Sequence, residues 1–419
     1  MPTESMMLTA LIIFLLTYVV IGVQKIPRIH ISRASGALLG AVAMPLLGVL
    51  TPQEAYAAID MNTIVFLLGM MIIVAYLEIS GFFEILELFI LKRARSRTSL
   101  LALVVLSSGL LSAVFMNDTI CLMFTPVIVR LVQRLELSPA PYLIALAASA
   151  NIGSAMTLIG NPQNMLIGIR SQISFLDFWV ALLPVSVGSL LLGFALIHWV
   201  YRRELQGPIK LLNDLQEYSE LKVHRGLLII SLVVMLLLLV LLMLGNPPQW
   251  VAISCAALLI LFGSNRPHRP LQRVDWPILV VFAGLFIVMH GVEKAGLVDL
   301  MVSHMGNWLT NHNLLNLSIV TLIISNLVSN VPAVLLLSPL IGAAGAVKLA
   351  WLTLAMASTF AGNLTLIGSA ANLIVLESAE RHGVHLGFFE YLKVGLPLTL
   401  LTIGLGVLVL YALAASMAS

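Results

Sequence analysis

One acidic residue lies deep inside the apolar stretch AVFMNDTICLMFTPV, residues 113–127, where it could bind or exchange an ion. This residue is Asp118, with Asn117 before it and Thr119 after it. Moving a carboxylate out of water is costly unless a cation pairs with it or a proton neutralises it. Asp118 is therefore a candidate coupling residue that binds sodium or carries a proton. The alternative is that it caps a helix by accepting hydrogen bonds from amides near Cys121.

Uncharged polar residues interrupt apolar runs at three other places. These are ANIGSAMTLIGNPQN (150–164), SNVPAVLLLSP (329–339) and FAGNLTLIGSAAN (360–372). Their glycines let the backbone unwind, which frees carbonyl groups for cations and helix N-terminal amides for anions. Amide and hydroxyl side chains can replace a hydration shell. We expect a pseudo-symmetric binding site. Its predicted members are Asn117, Asp118, Thr119, Asn151, Gly160, Asn161, Asn164, Ser329, Asn330, Asn363, Thr365, Gly368, Ser369 and Asn372, and a sodium ion would bind at Asn117, Asp118 and Gly160.

Structural roles are expected for the other polar residues in the apolar runs. These are Asp60 and Asp275 as helix N-caps, Glu78 and Glu293 in salt bridges or at the membrane interface, and His290 as a packed residue. Cys121 lies three residues after Asp118, but a single thiol cannot form a metal site that needs several thiolate ligands. We find no metal-ligand spacing, nucleophile–base pair or nucleotide-binding loop, so we expect no cofactor and no enzymatic activity.

The composition predicts an all-α integral membrane protein. Of the 419 residues, 60% are hydrophobic and only 10% are charged, and the mean hydropathy is +1.05. This leaves too little polar surface for a soluble globule. The apolar residues form long continuous runs, as in membrane helices, rather than the alternating decamers of a β-barrel.

Hydropathy divides the chain into spans and hairpins. Two runs, 98–134 and 313–347, are too long to cross a membrane once and too short to cross twice, so we interpret them as re-entrant helical hairpins. Two spans, 141–167 and 350–376, are interrupted by Gly and Asn and are predicted to break at mid-membrane. The full spans are predicted at 8–24, 34–50, 60–79, 178–200, 226–244, 248–263, 275–293 and 390–415.

Three sequence blocks recur in the same order, which indicates a duplicated unit. Residues from Asp60 match those from Asp275 at an offset of 215, and later blocks match at offsets of 213 and 208. Each unit contains five crossings and one hairpin, so the second copy is predicted to be inverted. The resulting domains are repeat 1 (1–200), a cytoplasmic linker (201–225) and repeat 2 (226–419).

The basic residues supply an independent topology signal. With the N-terminus outside, all but three of the 22 lysines and arginines lie on the inside: the exceptions are Arg170, Lys294 and Lys348. Such asymmetry is typical of the positive-inside rule. Both termini are therefore predicted to be periplasmic, and the basic runs are interpreted as topology signals rather than nucleic-acid sites.

The motifs FMNDTICLMFTPVIV, ANIGSAMTLIGNPQN, SNVPAVLLLSP and GNLTLIGSAAN, together with SGFFE at 80–84, resemble the ion transporter superfamily. This superfamily includes arsenite permeases, NhaD-type sodium/proton antiporters, citrate permeases and divalent anion/sodium symporters. The resemblance implies a homodimer in a bacterial inner membrane, with a scaffold and a transport region that moves as an elevator. The symporters have Ser-Asn-Thr at the tips of both hairpins, whereas this chain has Asn117-Asp118-Thr119 in the first hairpin and Ser329-Asn330-Val331 in the second. These two sequences resemble arsenite-permease-like and antiporter-like members more closely.

Two functions follow as alternatives. The first is an ion-coupled secondary transporter of a small anion or oxyacid, arsenite-like in its sharper version, driven by protons or sodium. The second is a monovalent cation/proton antiporter that uses the same Asp118 site. A channel is disfavoured because paired buried hairpin sites suit occlusion better than an open pore.

Overall fold

The computed structural model describes residues 4–23, 33–209, 223–263, 268–300, 313–343 and 348–418. Within these ranges the chain is helical and forms no β-strand, as expected for an all-α membrane protein. The middle of the predicted linker 201–225 and the end of the predicted hairpin 313–347 lie outside the described residues.

The helices are numbered in chain order within the described residues. Those of the first half are α1 Glu4–Val23, α2 Arg33–Leu46, α3 Pro52–Ala57, α4 Met61–Ser80, α5 Phe82–Arg93, α6 Arg97–Ser112, α7 Asn117–Arg134, α8 Ala140–Ser154, α9 Pro162–Ser171 and α10 Phe175–Val200. Those of the second half are α11 Arg225–Met243, α12 Pro248–Phe262, α13 His268–Gln272, α14 Trp276–Lys294, α15 Leu314–Val328, α16 Asn330–Ala343, α17 Lys348–Ala361, α18 Ala370–Arg381 and α19 Phe388–Ala418.

Six of the described helices are long and apolar enough to cross a membrane, namely α1, α4, α10, α11, α14 and α19. Their outer faces carry large apolar side chains that are well exposed, among them Leu236 and Leu408. Exposed apolar surface of this extent is unfavourable in water and is expected in contact with lipid. The described part of the protein therefore has the surface of an integral membrane protein.

Local backbone signals account for differences between the predicted and observed helices. The predicted span 34–50 ends as a helix at Leu46, because Gly48 adopts a left-handed conformation with φ of 76° and the amides of Val49 and Leu50 bond back to Met44. Three helices, α3, α5 and α13, lie between the predicted spans, where the sequence predicts no helix. A capping box nucleates α3, and α5 begins directly after the left-handed Gly81.

The order and spacing of the helices recur between the two halves of the chain. The starts of α2 and α12 differ by 215 positions, as do the starts of α4 and α14. The starts of α7 and α16 differ by 213, and those of α8 and α17 and of α9 and α18 differ by 208. These are the offsets of the sequence repeats, so the repetition extends from the motifs to the helices that carry them.

Equivalent helices exchange partners across the two halves. Helix α4 packs against α12, and α14 packs against α2. Each crossing is close because a glycine removes the side chain: a Cβ atom on Gly69 would lie 2.7 Å from the Ala252 backbone, and one on Gly284 would lie 2.7 Å from the Ala37 backbone. Both pairs are related by the same offset of 215, so one packing solution is used twice.

The helices separate into two bundles by their packing. The first bundle contains α1–α4 and α11–α14, and the second contains α6–α10 and α15–α19. Contacts between the bundles are made by α4 with α9, α14 with α16, α1 with α15 and α10 with α11. Both hairpin runs and both interrupted segments belong to the second bundle.

Acidic residues at the helix ends have the predicted structural roles. Asp60 accepts hydrogen bonds from the amides of Asn62 and Thr63 at the start of α4, and Asp275 accepts one from the amide of Ile278 at the start of α14. Glu78, near the end of α4, pairs with Arg273. The expected helix caps and one of the expected salt bridges are therefore confirmed, whereas Glu293 is exposed on the surface.

An ion pair on the surface joins the two halves of the first bundle. Lys294 Nζ at the end of α14 lies 2.6 Å from a carboxylate oxygen of Glu54 on α3. This hydrogen bond and one from the Thr51 amide lower the pKa of Glu54 to about 2. Because the pKa is depressed, the pair's contribution to stability is present above about pH 4.5 and is lost as the pH falls towards 2. The pair is exposed, so this contribution is small.

Substituting Gly153 should test how closely the second bundle is packed. A Cβ atom on Gly153 of α8 would overlap the carbonyl oxygen of Gly109 on α6, so Gly153→Ala must push the two helices apart. We expect a loss of about 1–3 kcal/mol in unfolding free energy, seen as a lower unfolding temperature in detergent. Gly404→Ala is the matched control because, among the described residues, no atom of another helix lies within 4 Å of its Cβ position. Equal unfolding temperatures for the two variants would contradict the packing described.

Candidate functional site

The two interrupted segments each consist of a helix, a non-helical break and a second helix. In the first half α8 ends at Ser154 and α9 begins at Pro162, and every residue from 155 to 161 is buried. In the second half α17 ends at Ala361 and α18 begins at Ala370. Backbone groups in such a break cannot use helical partners, so the protein must supply others.

An asparagine side chain supplies these partners in each half. Asn164 Nδ2 donates to the carbonyl oxygens of Ser154 and Thr157, at 3.1 and 3.0 Å, ten and seven positions before it. Asn372 Nδ2 donates at the same two spacings, to carbonyl oxygens at 2.7 and 3.0 Å. Asn164 and Asn372 are fully buried and differ by 208 positions. The two breaks are thus closed by the same pair of hydrogen bonds.

The residues that cap α9 and α18 reach across to the opposite half. Asn161 accepts a hydrogen bond from the Asn164 amide and donates to Thr359 Oγ1 on α17 at 3.3 Å. Its counterpart Ser369 donates to Asn151 Oδ1 on α8 at 3.1 Å. Asn151 and Thr359 also differ by 208. The bond from Asn161 to Thr359 and the bond from Ser369 to Asn151 therefore join equivalent positions in opposite directions, as in an interface between two related units.

Asn151 is the residue that joins most of the predicted site. Its side-chain oxygen accepts from Asn117 Nδ2 at 2.9 Å, and its nitrogen donates to Asn363 Oδ1 at 2.9 Å and to Asn372 Oδ1 at 3.1 Å. It is completely buried. The first hairpin tip and the second break therefore belong to one continuous network of uncharged side chains.

Four helix N-termini meet at this network, those of α7, α9, α16 and α18. The Asn117 amide at the start of α7 donates to the Gly160 carbonyl oxygen, 3.0 Å away in the first break. Asn330 at the start of α16 lies beside Gly362, where a Cβ atom would be 3.1 Å from its Nδ2. The N-terminus of a helix carries a partial positive charge. The site therefore favours an anion or an oxygen-rich ligand without using a basic side chain.

The two hairpin tips have different backbone conformations. In the first, residues 113–116 separate α6 from α7. In the second, the single residue Ser329 separates α15 from α16, with φ of 75° and ψ of 163°. This conformation favours glycine and costs on the order of 1–3 kcal/mol for other residues. Strain of this kind persists where the surrounding structure fixes it, and Ser329 precedes the buried Asn330 directly.

Several buried oxygen atoms near the tips lack a hydrogen-bond partner among the described residues. They include Oδ1 of Asn117 and of Asn330, and Oγ of Ser112 and of Ser325. Both pairs are counterparts at the offset of 213. A buried acceptor without a donor costs about 1–3 kcal/mol, so it indicates a partner supplied by a ligand, ion or water. Equivalent unsatisfied oxygens thus lie at the tips of both halves.

Asp118 and Thr119 lie in the first turn of α7 and are half-buried. Met116 occupies the N-cap position of α7, and Asp118 is the second residue of the helix. Asp118 directly follows Asn117 in the chain, and the side-chain oxygen of Asn117 is among the unsatisfied atoms. The acidic residue is therefore within the first turn of one of the four converging helices.

The structure brings most of the predicted site residues together. Asn330 and Gly368 adjoin the network through close contacts with Gly362 and Asn326, rather than through its hydrogen bonds, and Thr365 bonds to Asn326 at 3.4 Å. His290 lies on α14 in the other bundle. Among the described residues no group of three or more His, Cys, Asp and Glu side chains could hold a metal ion.

Sequence reasoning missed residues that complete the network from neighbouring turns. These are Ser154, Thr359, Gln163 and Asn326. Gln163 Nε2 donates to Thr359 Oγ1 at 3.3 Å. Thr359 could have been found, because adding the offset of 208 to the predicted Asn151 gives its position. Asn326 Nδ2 donates to the Ala361 carbonyl oxygen at 3.0 Å, a contact between α15 and α17 that carries no sequence signal.

Comparison with known proteins gives consistent results at the levels of family and fold. A silicon efflux transporter of rice (Oryza sativa subsp. japonica) is 32% identical, over 91% of this chain and 93% of that protein. A putative transporter of Dictyostelium discoideum named arsB is 25% identical, over 91% and 87% respectively. The crystal structure of the YdaH transporter of Alcanivorax borkumensis has a TM-score of 0.59 at 15% identity and covers 98% of both chains, which indicates a shared fold. The family model described as citrate transporter matches residues 10–361, and this chain belongs to that family of membrane transporters.

Proposed function

We propose that this protein is an ion-coupled secondary active transporter of a small oxyacid or its anion. The observation that carries the proposal is the convergence of four helix N-termini and several unsatisfied oxygens on one buried, uncharged network. The helix N-termini favour oxygen atoms of a ligand, and the unsatisfied oxygens favour hydroxyl donors or a cation. An oxyacid offers both kinds of group, as does an anion that binds together with a cation.

The chemistry of the network favours a weakly charged substrate. The side chains joined by its hydrogen bonds are Asn, Gln, Ser and Thr. A tricarboxylate such as citrate would place several negative charges here, close to the carboxylate of Asp118. Their mutual repulsion would require compensating cations. A neutral hydroxylated acid such as silicic or arsenous acid would need none.

The relatives support this choice of substrate class. The rice relative is named as a silicon efflux transporter, and the Dictyostelium relative carries the name arsB. The family description names citrate, which leaves carboxylates as the competing substrate class. We place small inorganic oxyacids first because the network contains no basic side chain among its hydrogen-bonded members.

We assign the coupling role to Asp118. Its counterpart in the second half, at the offset of 213, is Val331, so the charge occurs in one half alone. A proton or a sodium ion bound at Asp118, with Asn117 Oδ1 and the Gly160 region as further oxygen donors, would neutralise this charge. Neutralisation lowers the cost of carrying the site through the low-dielectric part of the membrane.

The arrangement of helices supports an elevator mechanism between two inverted repeats. In this proposal the bundle of α1–α4 and α11–α14 is the scaffold, and the bundle of α6–α10 and α15–α19 carries the site across. The repeats, 1–200 and 226–419, would have opposite orientations with both termini outside, the hairpins would be re-entrant, and two copies would associate through their scaffolds. Support comes from the exchanged helix pairs and from the placement of all the tips and breaks in one bundle.

Transport by the purified protein in liposomes is the direct test. We expect uptake or efflux of tracer silicic acid, arsenite or antimonite under an imposed proton or sodium gradient, and much slower movement of citrate, sulfate and phosphate. Protein-free liposomes measure the leak of neutral acids. Rapid citrate movement without the oxyacids would overturn the substrate class, and a pH change driven by sodium alone would favour a cation/proton antiporter.

Replacing the carboxylate should uncouple transport. Asp118→Asn preserves size and removes the charge, so we expect at least about a tenfold loss of gradient-driven accumulation at unchanged expression. Asp60→Asn is the matched control, because Asp60 serves as an N-cap and asparagine caps helices equally well. If Asp118→Asn retains full ion-coupled accumulation, Asp118 is not the coupling residue.

Cysteine labelling at equivalent positions should test the inverted orientation. Gln53 on α3 and His268 on α13 are exposed and differ by 215 positions, whereas the natural Cys121 and Cys255 are buried. We expect Gln53→Cys to react with an impermeant maleimide from the outside of intact cells. His268→Cys should react only in inside-out vesicles. Labelling of both from the same side would contradict the inverted repeat.

A further inference from the structure

A second polar feature lies at the start of α11, away from the site described above. A cavity of about 560 Å³ opens there between α4, α11 and α13. Its described lining includes the first three residues of α11, namely Arg225, Gly226 and Leu227, together with Tyr76 and Arg269. His224 also lines it, and none of the described lining residues is acidic. The cavity therefore combines basic side chains with a helix N-terminus.

The N-terminus of α11 has no side-chain cap from its own N-cap residue. His224 occupies the N-cap position and makes no capping hydrogen bond with its side chain, so this cap leaves first-turn amides without a side-chain acceptor. Among the described residues, no atom outside the backbone of α11 and the residues adjacent to Gly226 lies within 4 Å of the position that a Cβ on Gly226 would occupy. A basic residue, Arg225, begins the helix where the partial charge of the helix is already positive. This local excess of positive charge favours a bound anion.

The buried hydroxyl group of Tyr76 is a second indication of a ligand, and it does not depend on these charges. Tyr76 on α4 is fully buried, and its hydroxyl has no hydrogen-bond partner among the described residues. It lines the same cavity as the exposed Arg225 and Arg269. A phosphate oxygen would accept hydrogen bonds from a hydroxyl, from guanidinium groups and from helix amides at once.

The position of the cavity identifies the kind of phosphate. Helix α11 is the most apolar of the six candidate membrane spans, with a mean hydropathy of 3.2, so its first residue lies where the apolar segment meets water. Apolar side chains, Ile79 and Leu227, line the cavity beside the basic ones. We propose that this cavity binds the phosphate headgroup of an anionic phospholipid whose acyl chains lie along α11.

Another basic cavity provides a matched control. It measures about 470 Å³, is lined by Arg95, His198 and Arg202, and follows the end of α10 at Val200. The C-terminus of a helix carries a partial negative charge, and the nearby start of α6 already has a complete capping box. Two arginines can therefore be replaced by uncharged residues in each cavity. The two cavities differ in that the first lies at a helix N-terminus without a side-chain cap and the second does not.

Lipid binding to the purified full-length protein tests the proposal. Native mass spectrometry and unfolding temperature should show that phosphatidylglycerol is retained and stabilising, whereas phosphatidylcholine and inorganic phosphate are not. We expect Arg225→Gln and Arg269→Gln each to weaken phosphatidylglycerol binding roughly fivefold, the effect of one basic residue near an anionic lipid. Arg95→Gln with Arg202→Gln should leave it unchanged.

A substitution that keeps the helix intact separates loss of the site from loss of the fold. Gly226→Glu places a carboxylate at the open N-terminus, where it should stabilise α11 and occupy the anion site. We expect this variant to lose lipid retention while its unfolding temperature without lipid stays the same or rises. The proposal is overturned if Gly226→Glu retains the lipid, if the control pair loses binding equally, or if inorganic phosphate stabilises the protein as well as phosphatidylglycerol does.

Discussion

The rest of the structure depends on the need to satisfy backbone groups where two helices are broken inside an apolar protein. Each break interrupts the helical hydrogen bonds among residues that are mostly buried, where water cannot replace them freely. Asn164 and Asn372 solve this problem with one amide group each, which closes the break on two carbonyl oxygens. These bonds fix the backbone conformation of both breaks. As a result, α9 and α18 both begin at the buried hydrogen-bond network.

Satisfying the breaks with neutral amides has a consequence for the chemistry of the site. Charged side chains would bind an ionic ligand more strongly, but each would have to be paired or neutralised before it could move through a low-dielectric region. Helix N-termini and amide groups provide directed partial charges without a net charge. A network of this kind suits a site that must bind its ligand reversibly. In the proposed mechanism, Asp118 is the one predicted site residue whose charge is neutralised.

The sequence predicted the helical membrane class, the hairpin runs and the two breaks, because these features follow from hydropathy and from motifs repeated at fixed offsets. It did not predict that Asn151 would be the central residue. Asn151 becomes central through bonds to Asn363, Asn372 and Ser369, which lie more than 200 positions away. Tertiary packing between the halves decides such contacts. The short helices α3 and α5 were missed for the opposite reason, since local caps rather than hydropathy define them.

Differences between equivalent positions matter more for function than the similarities do. Asn164 and Asn372 are identical and close the breaks, whereas Asn151 has Thr359 as its counterpart and Asp118 has Val331. If both halves carried a carboxylate, two like charges would share one buried network and one of them would have to be protonated. In the proposed site, which has a single carboxylate, the binding of one cation or one proton would be enough to neutralise the charge. The repeat therefore supplies the common architecture of the two halves, and in the mechanism that we propose the departure from symmetry at Asp118 supplies the group that couples ion binding to movement.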